Sequence, residues 1–359
     1  MTPLSHQTDF TMNYKKHMAL PVALLILIAT PYSWAMSDLP EDTPDSGTID
    51  KTVRFIAIGD MGTGEDGQYK VAAAIRSVCD SAGCDFAIGL GDNVYESGVD
   101  DVDDIQFETK FEDPYKDLNF PFYMTLGNHD NSWIFGGDGL DNDRGDIQVG
   151  YHYKENRLSE KWQLPARYYA FNAPLNDNEP LITFLSLDSN PLAAVGDGDQ
   201  DYWQLPYRKT QAEWIDETLS QSPAPWKIAF AHHPFISNGR HGNAGIYDGV
   251  PGAGGIYYDM LKDHVCNIAD VMIAGHDHDL QFLKPVDRCG STYHIVSGAG
   301  GKTRELKDAD RNDAYWQEGG VLGFFLIDIS GDILTATAYT VNPVSGEYTA
   351  AYTRAVSRP

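Results

Sequence analysis

Five short segments of this chain place a potential metal ligand at the C-terminal end of an apolar run: Ile58-Gly59-Asp60, Gly91-Asp92-Asn93-Val94-Tyr95, Gly127-Asn128-His129-Asp130, Ala231-His232-His233-Pro234 and Gly275-His276-Asp277-His278. The runs themselves are Phe55 to Ile58, Phe86 to Leu90, Phe122 to Leu126, Ile228 to Phe230 and Val271 to Ile273. Each has the length and composition of a buried strand, and glycine allows a sharp turn where a strand stops. Parallel strands of an open sheet bring such ends side by side, so that residues distant in sequence meet in one crevice. The gathered set offers hard oxygens from Asp, Asn and Tyr beside imidazoles from His. That mixture suits iron, zinc or manganese, and an Asp carboxylate can bridge two ions about 3.5–4 Å apart.

Between these runs the periodicity is mixed. Val71, Ala74, Ile75 and Val78 predict a helix over 67–79, which with the strands on either side makes a right-handed crossover. A second helix is predicted over 209–219, with Trp214, Ile215 and Leu219 on one face. Alternating runs at Thr292–Ser297, Val321–Ile329 and Ile333–Val341 predict antiparallel strands, the last two joined around Ser330-Gly331-Asp332. The polar stretches Gly136–Gly145 and Ala194–Gln204 read as solvated acidic loops beside the mouth of the site. Neither has the spacing or the closing Glu of an EF-hand.

Residues 1–35 read as a secretory signal: Lys15 and Lys16, an apolar stretch from Met18 to Thr30, then Ser33-Trp34-Ala35 before the cut. The apolar stretch is short for a span of about 20 residues, so no stable membrane span is expected once the signal is removed. Residues 36–50 have almost nothing to bury and read as a disordered acidic linker, with one catalytic domain over 51–359. A periplasmic or secreted protein follows from that leader. Cys79, Cys84, Cys266 and Cys289 are an even set, as an oxidising compartment favours. Of the three ways to pair them, Cys79 with Cys84 and Cys266 with Cys289 is preferred, with buried free thiols as the competing reading. Asp and Glu number 52 against 26 Lys and Arg, a formal charge of −26. Such a surface repels polyanions, which excludes nucleic acid as a partner.

The order and spacing of the five segments resemble the calcineurin-like metallophosphoesterases, and Tyr95, three residues after Asp92, resembles the purple acid phosphatase branch. Leu90-Gly91-Asp92-Asn93 with Tyr95 and Gly98-Val99, Phe111-Glu112-Asp113, and Gly275-His276-Asp277-His278 with Leu280-Gln281 are most similar to the short tartrate-resistant type. The resemblance runs from about Arg54 to Ser330. It implies an α/β fold of two packed mixed β-sheets flanked by helices.

The resemblance also implies roles. Asp60, Asp92, Tyr95 and His278 would hold ferric iron; Asp92, Asn128, His232 and His276 would hold a second, divalent ion, iron, zinc or manganese. His232 is preferred over its neighbour His233, although the short acid phosphatases tend to carry an aromatic residue at the second position. A phenol ionises near pH 10, so only a strongly Lewis-acidic ion keeps a phenolate bound in acid. His129 and His241 would contact the phosphate, and one would protonate the leaving alcohol. Asn93 and Asp277 would support the ligands by hydrogen bonding. The implied activity is a metal-dependent acid phosphatase hydrolysing small phosphate monoesters by direct attack of a metal-bound hydroxide. Two alternatives stand: a phosphodiesterase or nucleotide pyrophosphatase on the same centre, and a non-catalytic periplasmic metal-binding protein.

Overall fold

The first strand, Thr52–Ile58, buries residues on both faces, and its two faces serve different cores. Val53, Phe55 and Ala57 point into a core shared by two sheets, while Ile56 and Ile58 pack outward with Val71, Ile75 and Val78 of the following helix. A strand covered on both sides reads as a continuous apolar run. The computed structural model describes residues 51–359 except Val195 and Asp197; the leader, the acidic linker and Asp197 of the second acidic stretch lie outside the described residues.

In chain order the elements are β1 (Thr52–Ile58), α1 (Asp66–Ala82), β2 (Phe86–Gly89), β3 (Phe122–Met124), α2 (Asn142–His152), β4 (Trp162–Gln163), β5 (Tyr169–Ala173), β6 (Ile182–Ser186), α3 (Asn190–Ala193), α4 (Gln204–Gln221) and β7 (Trp226–Ala231). They continue with α5 (Gly255–His264), β8 (Val271–Ala274), β9 (Leu280–Leu283), β10 (Tyr293–Ser297), β11 (Ala314–Glu318), β12 (Leu322–Ser330), β13 (Ile333–Val341) and β14 (Tyr348–Ser357). One sheet runs β14-β13-β12-β1-β2-β3-β4 and the other β11-β9-β10-β8-β7-β6-β5. Both are mixed: β1, β2 and β3 are parallel while β12 pairs antiparallel with β1, and β6, β7, β8 and β10 are parallel while β9 pairs antiparallel with β10. The inner faces pack through aromatic rings, with Phe184 edge-on to Phe55 at 5.1 Å and to Phe86 at 5.4 Å. On the outer faces α1 covers the first sheet, and α4 and α5 cover the second. Two mixed sheets with helices outside them are the fold the sequence resemblance implies.

Helix α1 buries Val71, Ala72, Ala74, Ile75 and Val78, a stripe at helical spacing, and stops where Gly83 takes a φ of 80° and donates its N–H to Cys79 O. Disulfides join Cys79 to Cys84 directly after it, and Cys266 to Cys289. Three expectations need correction. The five ligand-bearing strands belong to two sheets, β1–β3 in one and β7–β8 in the other, because the apolar runs alone do not reveal which strands pair. Strand β10 is antiparallel only to β9; on its other edge it runs parallel to β8. The polar stretch from Gly136 is a loop only as far as Asp141, since α2 starts at Asn142; likewise Gln200–Tyr202 form a short 3-10 turn and Gln204 opens α4. Helix α2 escaped the pattern because its buried positions are Asn142, Gly145, Gln148 and Tyr151, which carry little apolar signal. Among the described residues no helix is long and apolar enough to cross a membrane.

Phe184 is fully buried between the sheets, so Phe184→Ala should leave a cavity that costs about 3–5 kcal/mol of unfolding free energy. Denaturant unfolding of the two proteins measures it, and an unchanged midpoint would contradict this packing.

Candidate metal centre

The two sheets bring their strand ends to one edge. Asp60 follows β1, Asp92 and Tyr95 follow β2, Asn128 and His129 follow β3, His232 follows β7, and His276 and His278 follow β8. The sheets are laced together there by backbone bonds: Gly59 N donates to Ser297 O at 2.8 Å and Gly300 N to Gly59 O at 3.0 Å. The approach is close enough to exclude side chains. A β-carbon on Gly91, whose φ is 84°, would lie 2.7 Å from His232 Nδ1, and one on Gly127 would lie 2.2 Å from Asp92 Oδ1. Asp60, Asp92 and His276 themselves adopt positive φ, at 55°, 52° and 70°. A residue with a β-carbon adopts that conformation at a cost, and it persists where the surroundings fix it.

Two sets of atoms converge. In the first, Tyr95 Oη donates to Asp60 Oδ1 at 3.1 Å, His278 Nε2 lies 3.3 Å from Tyr95 Oη, and the same nitrogen is 3.4 Å from Asp60 Oδ1. In the second, His232 Nε2 lies 2.8 Å from Asn128 Oδ1, 3.1 Å from His276 Nδ1 and 3.4 Å from Asp92 Oδ1. Asp92 stands between them, facing His232 on one side and the Tyr95 hydroxyl on the other. Donor atoms of Asp60, Asp92 and His232 all fall within 4.8 Å of one another. Ligands about 2.0–2.2 Å from one ion and at right angles to each other would be about 3 Å apart, as these atoms are.

The hydrogen bonds identify these atoms as lone-pair donors. His232 Nδ1 donates to the Leu90 carbonyl at 2.8 Å, so the lone pair of the neutral ring is on Nε2. Asn128 Nδ2 donates to Gly137 O at 2.8 Å, which turns Oδ1 toward that nitrogen. A nitrogen lone pair thus faces an oxygen lone pair, and a cation makes that arrangement favourable. The donor set therefore fits metal ions. Charge points the same way: burial, opposed by His232, pushes the Asp60 carboxyl up to about 8. Burial acts on Asp92 too, but the neighbouring His232 and His129 outweigh it and hold Asp92 below the usual carboxylate range. Burial followed by Asp60 and Asp92 raises Tyr95 well above an ordinary phenol; burial and the neighbouring histidines, His241 first, lower His276 well below an ordinary imidazole, and burial followed by Arg304 lowers His278 to about 3. A bound cation favours the anionic oxygens and the neutral rings, so it would reverse the shifts of Asp60 and Tyr95 and reinforce those of Asp92, His276 and His278.

All seven residues read from the sequence as metal ligands thus meet at this edge. His233 does not share the second cluster; its Nδ1 pairs with Ser189 Oγ at 2.8 Å and its ring lies behind that of His276 at 4.4 Å. His129 and His241 flank the clusters. His129 Nδ1 donates to Glu96 O at 2.6 Å, and its Nε2 is 4.0 Å from Asp92 Oδ2. The His241 ring lies 4.2 Å from that of His276; its Nδ1 donates to Asp248 Oδ1 at 2.9 Å and its Nε2 accepts from Arg304 Nη1 at 3.0 Å. Burial lowers the pKa of His241 despite Asp277 and Asp248 nearby.

Asn93 and Asp277 brace the loops, as their sequence context implied. Asn93 Nδ2 donates to Thr125 O at 2.8 Å, and Asp277 Oδ1 accepts from His241 N at 2.7 Å. Sequence reasoning missed three further residues. Buried Asp130 accepts from the backbone N–H of Asn93, Val94 and Gly127 and from Gln148 Nε2, tying the loops after β2 and β3 together. Lys302 and Arg304 come from the loop after β10; the Lys302 ammonium lies 3.8 Å above the Tyr95 ring and pairs with Glu96 at 2.7 Å. The signal was available: Ile295-Val296-Ser297-Gly298 is a sixth apolar run ending in glycine. Of the acidic stretches, the first does border the centre through Gly137, but Asp138 is engaged by four backbone N–H groups of its own turn.

The sequence profile of the calcineurin-like phosphoesterases matches residues 53–280. Human tartrate-resistant acid phosphatase type 5 is 25% identical over 309 residues, covering 79% of this chain and 86% of its own. Among solved structures, GAP50, described as the anchor in the inner membrane complex of Plasmodium, superimposes with a TM-score of 0.67 at 18% identity, over 86% of this chain and 89% of its own. A purple acid phosphatase from yellow lupin seeds gives 0.58 at 16%, over 86% of this chain and 54% of its own. At these identities the structural likenesses speak to the fold alone.

Gly127→Ala should displace Asp92 while leaving the distant core intact, because the new methyl would collide with Asp92 Oδ1. The expected outcome is a loss of bound metal in elemental analysis with near-normal secondary structure by circular dichroism. Wild-type metal content in that variant would contradict the role given to this contact.

Proposed function

The chain belongs to the calcineurin-like phosphoesterase family, and on that premise we propose that it is a purple-type acid phosphatase that hydrolyses small phosphate monoesters. The observation that carries the reading is the pair of donor clusters meeting at Asp92. Asp60, Asp92, Tyr95 and His278 would hold ferric iron, the ion that suits a phenolate in acid. Asp92, Asn128, His232 and His276 would hold a divalent iron, zinc or manganese ion. The ions would supply charge neutralisation for the phosphate oxygens and a water acidic enough to act as nucleophile.

The chain's own residues would do the rest. His129 is oriented by the Glu96 carbonyl, so its Nε2 faces the site and would donate to a phosphate oxygen. His241, held by Asp248 on Nδ1, would carry the proton taken by the departing alkoxide on Nε2, which must first exchange its bond from Arg304 for that proton. Asp277 holds the backbone of His241, so the donor keeps its place as the substrate changes. We further place the protein outside the cytoplasm: the two disulfides support an oxidising compartment, as does the leader-like N-terminus.

Paired assays on p-nitrophenyl phosphate and bis-p-nitrophenyl phosphate test the reading. The monoester should be hydrolysed far faster, with an optimum in acid. Preference for the diester would move the protein to the phosphodiesterase alternative, and cleavage of neither to the non-catalytic metal-binding one.

A further inference from the structure

Beside His241 a cavity of about 730 Å³ opens, lined by Arg240, Asp248, Arg304, Glu305 and Lys307. In a chain with twice as many acidic as basic residues, a cavity lined by three cations is against the composition. Elsewhere the cations are largely engaged: Arg144 pairs with Asp100, Lys154 with Asp103 at 2.9 Å, and Arg167 with Asp188 at 2.7 Å. Among the described residues no carboxylate lies within ion-pair distance of Arg240, Arg304 or Lys307. Of the two acidic side chains in the wall, Asp248 already accepts the His241 Nδ1 proton. The wall carries a net charge of +1 by residue type, within a molecule whose overall field is negative.

The cavity is joined to the metal centre by two of its own residues. Asp248 and Arg304 both line it and both bond the His241 ring, which lies 4.2 Å from that of His276. Arg304 is held at its backbone, where its N–H donates to His278 O and its carbonyl accepts from Gly320 N, each at 2.8 Å. Its guanidinium, bonded to His241 Nε2, lies between the centre and the cavity. If His241 protonates the departing alkoxide, the leaving group exits past that ring, and the cavity lies on its way.

We propose that this cavity is an anion subsite for the leaving group, so that the preferred substrates are phosphate esters whose alcohol portion carries a second phosphate. The inference rests on the monoesterase reading above and adds a substrate class to it. Arg304 would contact the leaving group near the ester oxygen, and Arg240 and Lys307 would hold the second phosphate further out. Arg can offer that phosphate paired N–H groups and Lys a point charge. Because these side chains are exposed, each would contribute a several-fold effect rather than an absolute requirement.

A matched pair of substrates tests this: propyl phosphate and propane-1,3-diyl bisphosphate, which differ only in the second phosphate, assayed by phosphate release. The wild type should favour the bisphosphate in kcat/KM by about tenfold or more. In the double variant Arg240→Ser with Lys307→Ser that preference should collapse, chiefly through a higher KM, while kcat/KM for propyl phosphate changes less than about twofold. No preference in the wild type, or equal losses on both esters in the variant, would overturn the subsite while leaving the monoesterase reading in place. Release from neither ester by the wild type would overturn both.

Discussion

His232 Nε2 and Asn128 Oδ1 sit 2.8 Å apart with a lone pair on each, because the Leu90 carbonyl takes the ring proton and the Gly137 carbonyl takes the amide hydrogen. His276 Nδ1 and Asp92 Oδ1 close on the same point. Left to itself, such a cluster is repulsive, and burial makes it more so, since little solvent remains to screen it. A cation turns the repulsion into binding. The other cluster, at Asp60, Tyr95 and His278, gathers harder atoms, with the Tyr95 hydroxyl donating to Asp60, and Asp92 stands between the two.

Much of the surrounding structure can be understood as holding these atoms in place. Three of the seven proposed ligands have positive φ, and Gly91 and Gly127 leave no room for a methyl group. Opposing those strains are the buried carboxylates Asp130 and Asp277, each of which accepts several backbone N–H groups and fixes one ligand-bearing loop against another. Outside the crevice the sandwich supplies rigidity: two sheets packed through Phe55, Phe86, Phe184 and Phe230, with helices on both outer faces. Fixing ligands on strand ends rather than on long loops is a way to hold short-range geometry within narrow limits.

The residues of the centre were legible in the sequence because each follows a buried strand and has a distinctive side chain. Their grouping was not fully legible. A run such as Val271 to Ile273 states that it is buried, but not which neighbour it pairs with, so the division of the five strands between two sheets needed the structure. Helix α2 was hidden because its buried face is largely polar, with Asn142 and Gln148 drawn inward by hydrogen bonds rather than by apolar burial. Lys302 and Arg304 were overlooked for a different reason: they are ordinary surface residue types, and only their position after β10 places them over Tyr95 and against His241. The acidic mouth expected from composition is likewise qualified by position, since Asp138 closes its own turn and the cavity beside His241 is lined by three cations.

Net charge and local charge therefore differ in sign at the place that matters, and a molecule of charge −26 can still receive an anion there. The account stands on the claim that two donor clusters hold two ions, with the harder cluster built for iron. Elemental analysis combined with a visible absorption spectrum, on protein purified without added metal, tests that claim most directly. Two metal ions per chain, at least one of them iron, with a broad visible band that Tyr95→Phe abolishes, is the predicted result. A single ion per chain, or an iron-containing protein with no visible band, would contradict it.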